Sequence, residues 1–394
     1  MLEIIIKRTE QDRKLALIED GNLLEYYEES ENSNRREGNI YVGIVKDIVK
    51  GMQVAFVDVG ADKNSLIHVK DLVEKKDEKE EEKETEKSID DLVKINQKLL
   101  VQIKKDSNDK KGAKISTHIN LPGKYIALMP NTNIVTVSQK IEDKKEQERL
   151  IKLVKDNISN CNGAIIRTSA EGKEKEVIED IKKLEEKWKN IIETSNKVEG
   201  KRAQLVYKSE DIVEKMLIDL ANKGIDNVFV NDSKDYNQIK NWQEKNIEYK
   251  DMKIIVKSEE NIFDIYELEK QINKLNNRKV WLKCGGFITI DKTEALTAID
   301  VNTGKYTGNK TPEDTIYKVN KEATIEIAKQ LRLRDIGGII IIDYIDMKKE
   351  ENKKQIQELL QEELKKDRSK TQIEGFTKLD LMEMTRKHIC SHND

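Results

Sequence analysis

Proline and cysteine are scarce in this chain, with 3 of each, and aromatic residues make up only 5% of it. The three cysteines, Cys161, Cys284 and Cys390, lie far apart and form no CxxC pair, which argues against a disulfide framework. A reducing cytoplasm is the expected setting. Long hydrophobic runs are also missing. No stretch approaches the roughly 18 to 20 apolar residues of a membrane span. The opening "MLEIIIKRTEQDR" has no apolar core ahead of a small-residue cleavage site, so no secretory leader is expected. Nor does one charge dominate: 72 basic against 75 acidic side chains leave a net −3. Any basic surface for nucleic acid must therefore be local. No GxxxxGK[ST] loop occurs, which argues against a P-loop nucleotide enzyme, and there is no internal repeat.

What is present is a periodic, charge-rich chain. Apolar and charged residues each account for 37% of 394. The apolar positions are clustered, so the chain is read as folded, with two to four domains at this length. Residues 1–37 read as a hairpin, "LEIIIKR" and "RKLALIED", followed by "GNLLEYYEE". From Gly38, short alternating strands separated by Gly43, Gly51 and Gly60 predict a small five-stranded barrel over 38–117. Its one inflated loop, 74–87, has no apolar residue and reads as solvated. Residues 118–204 end in a long amphipathic helix, and 205–277 alternate helix and strand.

Residues 278–387 are the most informative. "VWLKCGGFITI", a turn at "DKTE" and "ALTAIDVN" read as a hairpin. In "TPED", Thr311 is a natural N-cap and Pro312 a first helical residue. Ile316, Val319, Ala323, Ile327 and Leu331 then share one helical face. Gly337-Gly338 is expected to stop that helix, and "IIIIDYIDM" to follow as a buried strand. Strand, helix and strand make a parallel crossover.

Within "LTAIDVNTGKYTG", Leu296, Ala298, Asp300 and Asn302 fall on one face of a strand. Asp300 and Asn302 sit at its carboxyl end, and Asp343 sits at the carboxyl end of the next. In open α/β sheets, sites form beyond those ends. The crossover would thus bring Asp300 and Asp343 together from about 40 residues apart. Converging carboxylates repel one another, and a divalent cation with oxygen ligands, Mg²⁺ or Mn²⁺, offsets that repulsion. Read alone, each aspartate also fits a residue that merely ends a strand or caps a turn. Asp346 is expected on the opposite face from Asp343, at a helix start or behind the site.

At these residues the chain resembles the ribonuclease E/G family. "DKTEALTAIDVNTGKYTG", "IAKQLRLRDIGGIIIIDYIDM" and "LDLMEMTRKH" resemble its catalytic core. "GNIYVGIVKDIVKGMQVAFVDVGADKNSLIHV" resembles its S1-type barrel, and "PGKYIALMP" with "IIRTSA" its sensor of RNA 5′ ends. The resemblance runs from about residue 1 to 387. It implies an α+β, α/β multidomain protein with four parts and a tail. These are a ribonuclease-H-like domain (1–37 and 205–277), an inserted S1-type OB-fold barrel (38–117), a 5′-sensor domain (118–204), a deoxyribonuclease-I-like catalytic domain (278–387), and a tail (388–394).

The resemblance also implies an activity: Mg²⁺-dependent endonucleolytic cleavage of single-stranded RNA, in RNA processing and mRNA decay with ribosomal RNA maturation included. The products carry 5′-phosphate and 3′-hydroxyl ends. Catalytic positions are Asp300, Asn302 and Asp343, with the two aspartates as metal ligands. The alternative is an RNA-binding protein of the same fold without catalysis. Gly123, Ala127, Arg167, Thr168 and Lys370 match positions around a 5′-monophosphate; read alone, Arg167 is a surface charge at a strand end. Ala127 and Lys370 replace residues often Val and Arg in the family, and a Lys supplies a point charge where Arg supplies a fork.

Phe56, Leu66 and Lys111 match RNA-contacting barrel positions, with Leu66 standing where a second aromatic is usual. Read alone, Phe56 fits a core position equally. The family's cysteine-based zinc link is not matched. Cys390, flanked by His388 and His392, has no second cysteine, so no structural zinc is expected, and any homodimer would form without it.

Overall fold

A computed structural model of the chain describes residues 1–30, 36–72, 88–107, 111–200, 202–220, 224–246, 249–258, 262–304 and 311–389. The charged run 74–87, Cys390 and His392 lie outside these. The chain divides into two compact units, Met1–Ser33 with Lys223–Cys390, and Asn34–Asn222 with Ser391–Asp394.

The first unit holds two sheets. In one, the expected N-terminal hairpin extends to a meander of Leu2–Arg8, Asp12–Glu19 and Asn22–Ser30, continued by the parallel strands Asn227–Val230 and Lys253–Val256. The other is a mixed six-stranded sheet. Its order is Lys279–Trp281, Phe287–Lys292, Leu296–Asn302, Gly338–Asp343, Leu381–Arg386, Thr371–Phe376. Strand Leu296–Asn302 pairs parallel with Gly338–Asp343, and the helix Pro312–Leu333 is the crossover between them.

Only one face of that six-stranded sheet is buried. Ile288, Ile299, Val301, Ile340, Ile342, Met382 and Met384 form a core with Val319, Ala323, Ile327 and Leu331 of the crossover helix. Ile356, Leu360 and Leu364 of a second helix, Glu350–Lys365, join the same core. The sequence makes this happen by strict alternation, since opposite faces of a strand receive successive side chains. The helix start is also as read: the Thr311 hydroxyl accepts from the Asp314 N–H, and Pro312 opens the first turn.

Four expectations need correction. "IIIIDYIDM" is buried on one side only; Ile339 is 51% exposed, and among the described residues no helix covers that face. The crossover helix ends at Leu333, four residues before the glycine pair. There Asp335 takes a left-handed conformation (φ 45°) while Arg386, fully buried, donates to its carboxylate at 2.8 Å. "VWLKCGGFITI" is two antiparallel strands joined at Leu282–Gly286. Asp346 lies beyond the strand, which stops at Asp343, so alternation does not assign it to the far face.

In the second unit, five strands close into a barrel: Ile40–Val49, Val54–Asp58, Ser65–His68, Lys114–Ser116 and Lys98–Lys105, the last pairing back onto the first. Gln204–Tyr207 adds to the open edge of Ile40–Val49. A four-stranded sheet follows, packed by the long helix Lys175–Asn196, as expected, and by a helix Lys144–Asn157 that the sequence reading did not anticipate. The helix Ile212–Asp219 stays in this unit.

Candidate active site and end-sensing pocket

Asp300 and Asp343 are direct register partners in the parallel pair, on the uncovered face of the six-stranded sheet. Both carboxylates are exposed there. Asn302 lies on the same face and its Nδ2 donates to Asp300 Oδ2 at 2.5 Å. Partial burial, then Asp300 and Asp346 nearby, pushes the Asp343 carboxyl up from its ordinary value. Such a site is electrostatically loaded for a cation.

Two supports were not anticipated. Asn320, completely buried on the apolar face of the crossover helix, clamps Ile345: its Nδ2 donates to the Ile345 carbonyl at 2.8 Å and its Oδ1 accepts the Ile345 N–H at 3.1 Å. The backbone that leaves Asp343 is thereby fixed. At the other strand, a Cβ on Gly286 would sit 2.8 Å from the Asn302 carbonyl and 3.0 Å from Val319 Cγ1. A side chain there would displace the Asn302 end of the strand. A polar residue amid helical apolar spacing was the available signal for Asn320.

Among the described residues no three His, Cys, Asp or Glu side chains converge as a closed metal cage would need. The donors that do converge are two hard carboxylates with an amide. They fit Mg²⁺, which keeps several waters and is bound through one or two carboxylates plus substrate phosphate.

The second unit gathers four of the five sensor candidates around one turn. Arg167 donates through Nη1 to the Gly123 carbonyl at 2.8 Å, and its Nη2 is ion-paired with Asp219. The Gly123 N–H donates to the Ile126 carbonyl at 2.9 Å, closing the turn. Asp180 accepts the Tyr125 and Ile126 N–H groups beneath it at 2.7 and 3.1 Å. Burial pushes the Asp180 carboxyl up against the lowering effect of these bonds. A Cβ on Gly123 would meet the Ile126 carbonyl oxygen and Asp180 Oδ2 at 2.7 Å and Leu184 Cδ1 at 2.6 Å, so a side chain there forces the turn to shift.

Thr168 Oγ1 lies 3.2 Å from Ser138 Oγ, and Ser169 Oγ donates to the Lys124 carbonyl at 2.5 Å. Ala127 is half-buried and sits opposite Ile165 in the sheet. Lys370 belongs to the first unit. Asp180, Asp219 and Ser169 escaped the sequence reading because their partners lie 45 or more residues away.

On the barrel, Phe56 faces outward. Its neighbours Ala55 and Val57 are in the core, whereas Phe56 is half-buried and register-paired with Leu66. Leu66 pairs in turn with Lys114. Lys111 precedes the last strand instead of starting it.

The geometry defines a class first: an open two-carboxylate site at parallel strand ends, in a chain that also carries a closed five-stranded barrel. Residues 120–389 match the Ribonuclease E/G family. The chain is 39% identical to Ribonuclease G of Escherichia coli (strain K12) over 390 residues, 98% of this chain and 79% of that protein. It is 37% identical over 391 residues to Ribonuclease G of Haemophilus influenzae, again 98% of this chain and 79% of that protein. To Ribonuclease E of Nostoc sp. it is 33% identical over 357 residues, 89% of this chain and 51% of that protein. The chain belongs to the ribonuclease E/G family.

Proposed function

We propose that this chain is a divalent-metal-dependent endoribonuclease of RNA processing and decay, acting on single-stranded RNA. Its family membership carries the endoribonuclease class. The reading adds 5′-phosphate and 3′-hydroxyl products, a preference for 5′-monophosphorylated substrates, ribosomal RNA maturation among its tasks and a cytoplasmic setting. The observation that carries it is the register pairing of Asp300 with Asp343, with the Asn302 amide on the same open face.

In this reading Asp300 and Asp343 hold Mg²⁺, or Mn²⁺ in its place. When bound, the cation polarises the scissile phosphate and makes water a better nucleophile. The Asn302 amide keeps the Asp300 carboxylate oriented and offers neutral hydrogen bonding to the phosphate. Asn320 and the Gly286 approach hold both strand ends, so little reorganisation remains at the moment of reaction. Arg167, Thr168, Ala127 and the Gly123 turn receive the 5′-phosphate, and Lys370 remains a phosphate-binding candidate of the first unit by family resemblance. Phe56, Leu66 and Lys111 guide the strand over the barrel. The finer domain reading supported by this layout is ribonuclease-H-like for the five-stranded sheet, S1-type for the barrel, and deoxyribonuclease-I-like for the six-stranded sheet.

No structural zinc enters the proposal. In the sequence, His388, Cys390 and His392 supply one thiolate, short of a closed tetrahedral site. A homodimer would then survive a strong chelator, which light scattering and metal analysis check. The main test is incubation of a 5′-monophosphorylated, AU-rich oligoribonucleotide with and without Mg²⁺. Internal cleavage only with the cation supports the reading, and no cleavage in either condition defeats it.

A further inference from the structure

The strand Lys279–Trp281 presents its apolar residues in an order that core packing does not explain. Val280 packs against the core, and Trp281, the larger residue, points away and is 61% exposed. It is register-paired with Phe287, which is register-paired with Asn302. Directly opposite residues share a face. Trp281, Phe287 and Asn302 therefore form one row across three strands, and Asp300 and Asp343 lie on that same face. Two strand spacings, about 10 Å, separate Trp281 from Asn302.

The two rings meet edge to face, with centroids 5.4 Å apart. Lys279 Nζ lies 4.0 Å from the Trp281 ring centroid and 3.4 Å from that of Phe287. An ammonium over aromatic faces is a weak surface contact that orders the rings. It also places a cation, which a phosphate can draw off the rings, beside the exposed Trp281 on the face of the paired carboxylates.

We propose that Trp281 and Phe287 form a base-stacking subsite for the nucleotide beside the scissile phosphate, with Lys279 meeting its backbone phosphate. This rests on the endoribonuclease reading of Asp300 and Asp343. The occupant is single-stranded RNA on two grounds. The platform is continuous with the site where a phosphodiester must lie, and the Lys279 ammonium complements phosphate. Stacking of this kind accepts any base, because every base has a π face. The subsite therefore sets register and binding strength and leaves sequence choice open.

The test uses the full chain and a short 5′-monophosphorylated oligoribonucleotide. Trp281→Ala should raise KM about ten-fold with kcat nearly unchanged, and Trp281→Phe should keep most of the affinity. An abasic nucleotide at one position beside the cleavage site should reproduce the defect in the wild type and add little to Trp281→Ala. RNA should quench the wild-type tryptophan emission more than that of Trp281→Phe, which retains the half-buried Trp188 and Trp242. A wild type that cleaves, with Trp281→Ala at the same KM, overturns the subsite alone. A wild type that does not cleave defeats the endoribonuclease reading beneath it. Unchanged KM with a lower oligomer mass in Trp281→Ala would assign the face to a second copy and overturn the proposal.

Discussion

The Arg167 guanidinium is ion-paired with Asp219 while it also donates to the Gly123 carbonyl. In the proposed end-sensing pocket a carboxylate thus already occupies part of the fork that a terminal phosphate would use. The 5′-monophosphate must displace Asp219 or share the fork with it. A charge-assisted contact is worth roughly 1.5 to 3 kcal/mol. Monophosphorylated RNA should therefore be cut about ten-fold or more faster than its 5′-hydroxyl twin, and Arg167→Ala should erase that ratio. Asp219→Asn removes the competitor and should widen the ratio a few-fold. Paired cleavage rates on the two substrates measure both effects. Equal wild-type rates would remove the sensor, and a narrowed ratio in Asp219→Asn would make Asp219 an orienting partner instead.

Gly123→Ala probes the same pocket through shape. Its Cβ would press on Leu184 and Asp180, and overpacking of this kind costs typically 1 to 3 kcal/mol. The turn that carries the Gly123 carbonyl to Arg167 should shift. The 5′ preference should fall to near one while cleavage of 5′-hydroxyl RNA persists. A variant with full preference would show that the turn is not part of the pocket.

Asp300→Asn and Asp343→Asn each remove one anionic ligand from the register pair. Cleavage should drop by at least about a hundred-fold, on the order of a lost electrostatic contact to the transition state. RNA binding, measured by gel shift or anisotropy, should stay near wild type. Chelation of the wild type should copy the loss, and added Mg²⁺ should restore it. A variant that cleaves at the wild-type rate in Mg²⁺ would refute the metal assignment.

How much of this was legible depends on the range of the interaction. Asp300, Asn302 and Asp343 could be placed on one face because strand alternation is a local rule and the capped helix announced a parallel crossover. The end of that helix was misread because Gly337-Gly338 looks like a stop. The actual stop is set at Asp335 by Arg386, 51 residues away. Trp281 was passed over because "VWLKCGGFITI" reads as one strand until the turn at Leu282–Gly286 is seen. Asp219 gave no signal at all, since only tertiary packing brings it to Arg167.

Arg386 joins Asp335 at 2.8 Å and Asp367 at 2.7 Å, all three side chains fully buried. It also donates to the Ile336 carbonyl at 2.9 Å. The motif residues "RLRDIGG" and "MTRKH" meet here to hold the helix end against the sheet, away from Asp300 and Asp343. Removing one partner leaves buried charge uncompensated, at a cost of roughly 3 to 5 kcal/mol. Arg386→Ala should lower the urea midpoint of the first unit by that equivalent. Arg386→Lys should also destabilise it strongly, because a point charge cannot replace a fork serving two carboxylates. A lysine variant of wild-type stability would show that charge alone suffices.

Phe56 and Leu66 offer a prediction that increases function. They are register partners on the outer surface of the barrel, and the core beneath is made by Ala55, Val57 and Ile67. Changes at either position should leave folding largely intact. An aromatic stacked on a base is worth roughly 1 to 3 kcal/mol, so Phe56→Ala should weaken RNA binding about ten-fold or more. Leu66 supplies apolar contact but no π face. Leu66→Phe would place two rings side by side, at the close spacing of a cross-strand pair. It should tighten binding of single-stranded RNA several-fold, and the gain should vanish for a substrate with an abasic nucleotide at that position. Fluorescence anisotropy of a labelled oligoribonucleotide, read at fixed salt, measures all three. Tighter binding that persists on the abasic strand would show that the added ring acts by bulk rather than by stacking, and would remove Leu66 from the RNA path.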